Sequence, residues 1–531
     1  MNRLLSAIVF LLLVGCRQPH SAPLTSPGRD TSITVRNAFS ERFLDSLLLE
    51  QLMRTEGISG GDASRIRDFY NRRNYQYAWF FPEGLADYTT TFLEMQNDYI
   101  AYSGDSSLAN PRLQLLVDTL QAGQDLRAAP DSLFAEAELL LTRQFFRYAR
   151  RAYQGKGQLD ARELDWYIPR KKIDPAGFLD SLIRNRGRNL SAYEPVNRQY
   201  RLLKDYLVRY QEIENSQAWH TVPATQKSLR LGDSAQVIRL IRQNLRLAGD
   251  LAGSDSSSLF DDPLREAVKH FQHRHGLAED GVAGPGFFRE LNILPAARIR
   301  QLLINMERIR WVPREPATDY LLVNIPEFRL HVFEKGDPAW SMDVVVGQAA
   351  HQTVIFNANL RYVVFSPYWN VPASIVKKEI VPAMQRNPNY LTTNRMERFK
   401  GGIRQRPGPN NALGLVKFLF PNNYSIYLHD TPAKSLFGET SRAFSHGCIR
   451  LGDARKLAGY LLRSDPAWTD ERVTRAMHAG KEQWVTLKEP VPVFIGYFTA
   501  WVDPQGQLNF RRDIYDHDAR LAKHLFGPAG Q

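Results

Sequence analysis

The chain has 531 residues, enough for three or four domains, and its 68 Lys and Arg against 56 Asp and Glu give a formal net charge of +12. That balance suits an anionic partner, but no strip of interleaved basic and aromatic residues marks a binder of nucleic acid. With only two cysteines, Cys16 and Cys448, the chain cannot build a thiolate-rich zinc or iron–sulfur site.

The opening MNRLLSAIVFLLLVGC reads as an export signal. Arg3 supplies the positive start, and Leu4 to Leu13 form an apolar stretch too short to span a bilayer. Leu13-Val14-Gly15-Cys16 resembles a bacterial lipobox, which implies that Cys16 is lipidated and becomes the new N-terminus. Arg17 in place of an aspartate implies retention at the periplasmic face of an outer membrane, in a Gram-negative-type envelope. The alternative is an ordinary secretory signal with a chance cysteine. No second apolar run is long enough for a transmembrane helix. Processing at Cys16 leaves Cys448 as the one thiol of the mature chain, so no intramolecular disulfide is expected. A lone thiol in an oxidising compartment points to reactivity, with an inert buried cysteine as the competing reading.

Residues 17–38, rich in Ser, Thr and Pro, read as a flexible tether. Helical periodicity dominates 39–222 and predicts a scaffold domain without a catalytic motif. RFLDSLLLEQLM places Phe43, Leu47, Leu48 and Leu52 on one face, and VNRQYRLLKDYLVRYQEI does the same with Tyr200, Leu203, Tyr206 and Leu207. The aromatic run FYNRRNYQYAWF is expected in the core.

Residues 226–295 predict a compact unit. Val237, Leu240, Ile241 and Leu245 form one apolar face, and Leu264, Ala267, Val268 and Phe271 a second at i, i+3, i+4 and i+7. Asp280-Gly281 marks a turn, after which Phe288 and Leu291 close a short third helix. The opening LRLGD, the helix AVKHFQHRHGL and the turn DGVAGPGF resemble the three-helix peptidoglycan-binding domain. That resemblance implies wall glycan and its stem peptides as partners. His270, His273 and His275 have no carboxylate at ligand spacing and are expected on a solvated or wall-contacting face, not around a metal.

A returning scaffold helix is expected over 296–317, after which the period shifts from helix to strand. Phe328, Leu330 and Val332 alternate with Arg329 and His331, a turn follows at Lys335-Gly336-Asp337-Pro338, and RYVVFSPYW, VKFLF and SIYLHD add further strands. Residues 318–500 are therefore expected to be mainly β. Between about 372 and 409 the chain turns basic and interrupted, with SIVKKEIVPAMQRNPNYL a helix candidate, and reads as a lid over a site. Residues 501–531 form a C-terminal extension. The fold class expected is multidomain α+β: a helical scaffold, a three-helix module and a mainly-β domain with a lid insertion.

Chemistry concentrates where a strand ends at His429-Asp430 and the chain returns as Ser445-His446-Gly447-Cys448-Ile449-Arg450-Leu451. A thiol needs a base to attack a carbonyl, and an imidazole can take its proton. Spacing alone leaves two candidates. His446, two residues from Cys448, shares its face on an extended segment, whereas His429 ends a rigid strand. Gly447 permits close approach of substrate, so the amides of 446–448 can cradle an oxyanion. Asp453 is placed to cap the helix that follows.

His429, a fifteen-residue gap and then Ser445-His446-Gly447-Cys448 resemble the signature of the L,D-transpeptidase (YkuD-type) catalytic domain. SPYWNVPASIVKKEI, RPGPNNALGLVKFLFPN, YLHDTPAKSLF and the tail GYFTAWVDPQGQLNFRRDIY are similar to its long, scaffold-bearing branch. The resemblance implies a cysteine nucleophile at Cys448, a general base at His429, and a site wall and oxyanion region at Ser445, His446 and Gly447. Arg450 stands where the commonest form has asparagine; it is expected either to grip a substrate carboxylate or to pair with Asp453. Tyr368, Trp369 and Asn370 are expected either to line the donor groove or to be core aromatics beside a turn.

The implied reaction is acyl transfer on peptidoglycan stems, without metal or cofactor. Cys448 attacks the carbonyl before a terminal D-alanine, D-alanine leaves, and a second stem's amine resolves the thioester into a 3→3 cross-link. Acylation of the same thiol by carbapenems is a further implication. Protein attachment, D-amino-acid exchange and hydrolysis are related outcomes, and a non-catalytic anchor from lipid to wall is the competing class. Ser374-Ile375-Val376-Lys377 matches the S-x-x-K of serine penicillin-binding proteins, but neither S-x-N nor K-T-G accompanies it. A papain-like protease would place its cysteine ahead of its histidine.

Overall fold

The computed structural model describes residues 28–82, 84–122, 130–155, 162–223, 228–253, 256–312 and 316–527. Cys16 and the export signal lie outside the described residues. Two compact units emerge. One combines the described chain up to Met95 with Leu108–Arg147 and Pro175–Leu190, and the other combines Gln96–Ser107, Tyr148–Asp174 and the chain from Ser191 onward.

The first unit is helical, with Ser46–Thr55, Gly60–Asn71, Pro111–Ala122 and Pro175–Arg184 among its elements. Phe69, Tyr70, Tyr77, Trp79 and Phe80 are buried, as the aromatic run predicts. Beside them lies buried Glu138, which accepts from the backbone N–H groups of Ala78 (2.6 Å) and Trp79 (3.0 Å) and from the Tyr70 hydroxyl (2.8 Å). One predicted face is displaced. Asp45 caps the first helix by accepting from Leu47 and Leu48 N–H, so Phe43 precedes the helix and Leu47 points to solvent. Leu44, Leu49 and Met53 are buried instead.

In the second unit, Arg198–Ser216 packs along Pro295–Trp311, the returning helix. Tyr200, Leu203 and Leu207 are buried as expected, while Tyr206 reaches out to donate to the Gly506 carbonyl. Between these helices in sequence lies the three-helix module: Val237–Ala248, Asp262–Arg274 and Pro285–Leu291. Ile241, Leu245, Leu264, Ala267, Val268, Phe271, Phe288 and Leu291 form its core. The module is bolted to the C-terminal segment: Arg274 Nη1 donates to the Leu508 carbonyl, and Arg511 Nη1 to the Arg274 carbonyl at 2.8 Å.

The remaining chain forms a curled sheet. Its strands are β1 (Tyr320–Asn324), β2 (Arg329–Glu334), β3 (Asp337–Gly347), β4 (Phe356–Phe365), β8 (Val416–Leu419), β9 (Leu428–His429), β10 (Ala443–Ser445), β11 (Ile449–Leu451) and β12 (Gln483–Gly496). The lid supplies β5 (Trp369–Asn370), β6 (Met396–Phe399) and β7 (Gly402–Gln405). In space the main order is β10-β3-β11-β9-β8-β4-β12-β1-β2. The first part of β3 pairs with β2 and its end with β11 and β10, so both ends of the sheet share that strand. Lys335 and Gly336, with φ of 50° and 91°, form the tight turn between β2 and β3. Val344, Val363, Phe418, Leu428 and Ile449 are fully buried on one face, joined by Trp166 and Trp311. Asp453 caps Ala454–Leu462 as expected, accepting from Lys456 N–H at 2.9 Å.

The lid has a small core of its own, in which Val371, Ile380 and Ile403 are buried and Trp369 packs on them. Its predicted helix is broken into Ala373–Ile375, a π-helical turn at Val376–Ile380 and Val381–Arg386. Pro382 lacks the N–H a continuous α-helix needs there, and the wider turn absorbs the mismatch.

Candidate active site

Strand register brings the site together. β9 runs antiparallel to β8, with Lys417 opposite His429, and parallel to β11, with His429 opposite Arg450. Because side chains alternate, Leu428 and Ile449 enter the core while Lys417, His429 and Arg450 share the other face. Tyr427 and Cys448, each two residues back along its own strand direction, lie on that face as well. His429 and Cys448 thus come from neighbouring strands.

His429 is buried, and its Nδ1 faces the Asp430 carbonyl. A carbonyl only accepts, so Nδ1 carries the proton and Nε2 keeps a lone pair. Burial, reinforced by the charges of Arg450 and Lys417, holds the imidazole down to about 4, against an offsetting hydrogen bond to Asp430. The Cys448 thiol is pushed up by burial, partly offset by hydrogen bonds from Tyr427 and by the charge of Arg450. Its Sγ donates weakly to the Ser425 carbonyl at 3.6 Å. Ser425 has φ of 58°, a left-handed conformation uncommon outside glycine and of the kind found at strained sites. The resting pair is therefore a neutral thiol beside a neutral imidazole.

The turn carrying Cys448 is fixed from both sides. Ser445 Oγ accepts the Gly447 N–H at 3.1 Å and donates to the Cys448 carbonyl. Gly447 has φ of 109°, which disfavours any side chain there. Of the amides of 446–448 expected at an oxyanion, that of Gly447 is engaged by Ser445 in this structure. The Cys448 N–H makes no hydrogen bond among the described residues. Thr353 Oγ1 donates to the Gly447 carbonyl and accepts from Gly347 N–H, both at 2.9 Å. Thr353→Val keeps the shape but strands two buried polar groups. We expect a loss of about 1–3 kcal/mol of stability, read from the urea midpoint, together with lowered turnover as the turn loosens.

His446 faces elsewhere. Its Nε2 is 3.0 Å from Glu379 in the lid's π-helical turn, and its ring lies 5.3 Å from that of His351. Arg450 is half-buried and makes no ion pair or hydrogen bond among the described residues; Asp453 is engaged as a helix cap, so the expected Arg450–Asp453 pair does not form. Tyr368 lies under the Arg404 guanidinium, 4.1 Å from its ring centroid, and its N–H donates to Glu482. Trp369 and Asn370 form β5 against β7, Trp369 turning into the lid's core and Asn370 exposed. Tyr427, Ser425, Thr353 and Glu379 were not singled out by the sequence. Of these only Tyr427 carried a signal, its i−2 spacing from His429 on one strand.

Among the described residues no cluster of three or more His, Cys, Asp or Glu could hold a metal. Of the module's histidines, His273 lies on a solvated face as expected, His270 is half-buried, and only His275 departs from that expectation. His270 and His273 each pair with a carboxylate, Asp250 at 2.6 Å and Glu279 at 2.8 Å. His275 is buried and stacked on Phe271, because its Nδ1 closes the helix end on the Phe271 carbonyl.

Comparison with known proteins matches residues 318–482 to the L,D-transpeptidase catalytic domain (YkuD). Residues 64–207 match a scaffold domain, and 234–291 a domain provisionally described as peptidoglycan-binding. A Haemophilus influenzae protein, provisionally named an L,D-transpeptidase, is 30% identical over 243 residues, covering 42% of this chain and 49% of that protein. The chain thus matches about half the length of that relative. A solved L,D-transpeptidase from Stackebrandtia nassauensis is 16% identical, with coverage of 52% of this chain and 97% of that one and a TM-score of 0.21. One from Mycobacterium smegmatis is 13% identical, with coverage of 34% and 58% and a TM-score of 0.20.

Proposed function

We propose that this chain, which carries the YkuD-type catalytic domain of the L,D-transpeptidases, is itself an L,D-transpeptidase acting on peptidoglycan stems. The observation that carries the proposal is the placement of His429 and Cys448 on one face of the β9–β11 pair, with the imidazole protonated at Nδ1 and its Nε2 left to accept. The donor is a tetrapeptide stem. As the Cys448 sulfur attacks the carbonyl before the terminal D-alanine, its proton passes to Nε2 of His429. The Cys448 N–H is the amide available for the developing oxyanion. Collapse expels D-alanine, which takes the proton from His429 as its amine leaves, and a thioester remains on Cys448.

An acceptor stem's side-chain amine then attacks the thioester. His429 takes the amine proton, and the sulfur leaves to regenerate the thiol and give a 3→3 cross-link. Glu379, paired with His446, ties the lid to the segment bearing the nucleophile, which favours amine over water at the thioester by limiting solvent access. Carbapenems, whose strained carbonyl opens to the same attack, are expected to acylate Cys448. Retention at a membrane through lipidated Cys16 remains part of the proposal.

The test is to incubate the protein with purified disaccharide-tetrapeptide and follow products by mass spectrometry. The expected products are free D-alanine and a dimer joined through two third-position residues. Absence of D-alanine release would overturn the proposal. Release with only tripeptide formed would redirect it to hydrolysis.

A further inference from the structure

Beside the thiol, a cavity of about 250 Å³ opens on the outer face of the sheet. Tyr362, Leu419, Pro421, Ser425, Tyr427 and Trp484 line it. Two of them neighbour the nucleophile: the Ser425 carbonyl accepts from its thiol, and Tyr427 sits beside Cys448 where the parallel register of β9 and β11 continues back. The cavity therefore reaches from Ser425 and Tyr427, just ahead of β9, past Leu419 on β8 and Tyr362 on β4 to Trp484 on β12. Sheet register agrees with this path, since Tyr362 opposes Leu419 on one side and Thr486, two residues from Trp484, on the other.

Trp484 has 54% of its surface exposed. Burying an indole is favourable, so one left in solvent yet held in place invites a ligand. Its Nε1–H donates to Glu482 Oε2 at 3.1 Å, and the Tyr362 ring meets it edge-on with centroids 5.9 Å apart. Lys417 Nζ lies 5.7 Å from the indole. Orientation is thus fixed in advance, which lowers the entropy cost of binding. Nothing in the reaction derived above uses this end of the cavity.

The chemistry of the walls selects the occupant. The lysine at this end is 3.8 Å from Glu482, so the two charges offset each other and offer no net attraction to an acidic peptide. The remaining lining is mostly aromatic and aliphatic, with hydroxyl and carbonyl groups and the neutral Asn422 amide at its edges. A pyranose ring is neutral, with C–H groups on its faces and hydroxyls on its rim. Its C–H groups are drawn to the electron-rich face of an indole while its rim stays hydrated.

We infer that Trp484 and Tyr362 form a saccharide subsite, which holds a sugar ring of the glycan while the stem attached to it reaches Cys448. The inference rests on the proposed function but is tested separately from it.

The first experiment titrates the full chain with N-acetylglucosamine tetramer, a glycan without stems, and reads indole emission in wild type, Trp484→Ala and Trp484→Tyr. A saturable emission change is expected in wild type; it is diminished in Trp484→Ala and its affinity largely restored in Trp484→Tyr when read by calorimetry. Far-ultraviolet circular dichroism and the melting midpoint report that the variants fold. The second experiment compares KM for disaccharide-tetrapeptide with KM for the free tetrapeptide. Trp484→Ala is expected to raise the ratio of the first to the second about five- to tenfold, the size of one aromatic contact. Equal tetramer binding by wild type and a folded Trp484→Ala would overturn the subsite. So would an equal rise in both KM values, which would assign the cavity to peptide. The tetramer titration needs no turnover and reads the subsite even if the transpeptidase reading fails.

Discussion

Cys448→Ala is expected to abolish D-alanine release and cross-link formation altogether, and with them any mass increase of the protein on treatment with a carbapenem. No other thiol is present in the described chain to substitute for it. Cys448→Ser should fare little better. A hydroxyl is far harder to deprotonate than a thiol, and an imidazole held near 4 is a weak base for it. Intact-mass spectrometry of wild type, Cys448→Ala and Cys448→Ser, each with tetrapeptide substrate and with carbapenem, checks the result. A carbapenem adduct of unchanged yield in Cys448→Ala would assign the nucleophile elsewhere. The environment of the thiol adds a finer expectation. Burial raises it above the usual cysteine range, so alkylation by iodoacetamide at neutral pH should be slow and should accelerate only in alkaline solution.

His429→Ala is expected to lower kcat/KM by about 10²–10⁴, the range of a lost general base, whereas His446→Ala loses the contact to Glu379 and should cost much less. Initial rates of D-alanine release compare the two. The pH profile gives a second readout. His429 is neutral above about 4, so the acid limb of kcat/KM should lie near that value, well below the usual histidine range. Stability follows the same group with a definite sign. A histidine lowered from 6.5 to about 4 on folding binds fewer protons in the native state between those values. Its contribution is fully present above pH 6.5, falls as pH drops toward 4 and then levels. His429→Gln should flatten that part of the stability curve, measured by urea midpoints from pH 4 to 7.

The sequence made some of this arrangement readable and hid the rest for physical reasons. His429 and Cys448 were legible because a lone thiol, a strand-ending histidine and an intervening glycine are rare chemistry in fixed order. The strands carrying them were legible from alternation, as at Phe328, Leu330 and Val332. Leu47 was misassigned because a helix's face depends on where it starts, and Asp45 starts it one turn later than apolar spacing implies. Thr353 and Glu379 were invisible for another reason. Each lies 67 or more residues from the residue it contacts, and only sheet register and the fold of the lid bring them there. The broken lid helix shows the same limit: its apolar pattern is helical, and one proline decides its geometry.

The bolting of the three-helix module has a consequence for how the chain would sample a polymer. Arg274 and Arg511 exchange hydrogen bonds with backbone on opposite sides of that junction, and the Arg298–Glu290 pair at 2.9 Å braces the module against the returning helix. If the module grips the polymer, grip and nucleophile then belong to one compact unit. On a flexible leash, a captured strand would present bonds to the thiol over a broad range of distances, diluted by the leash's wandering. Held rigidly, it presents them at one offset. Under the proposed function, the spacing between grip and nucleophile would become a gauge, choosing by distance along the polymer which stem is offered for reaction.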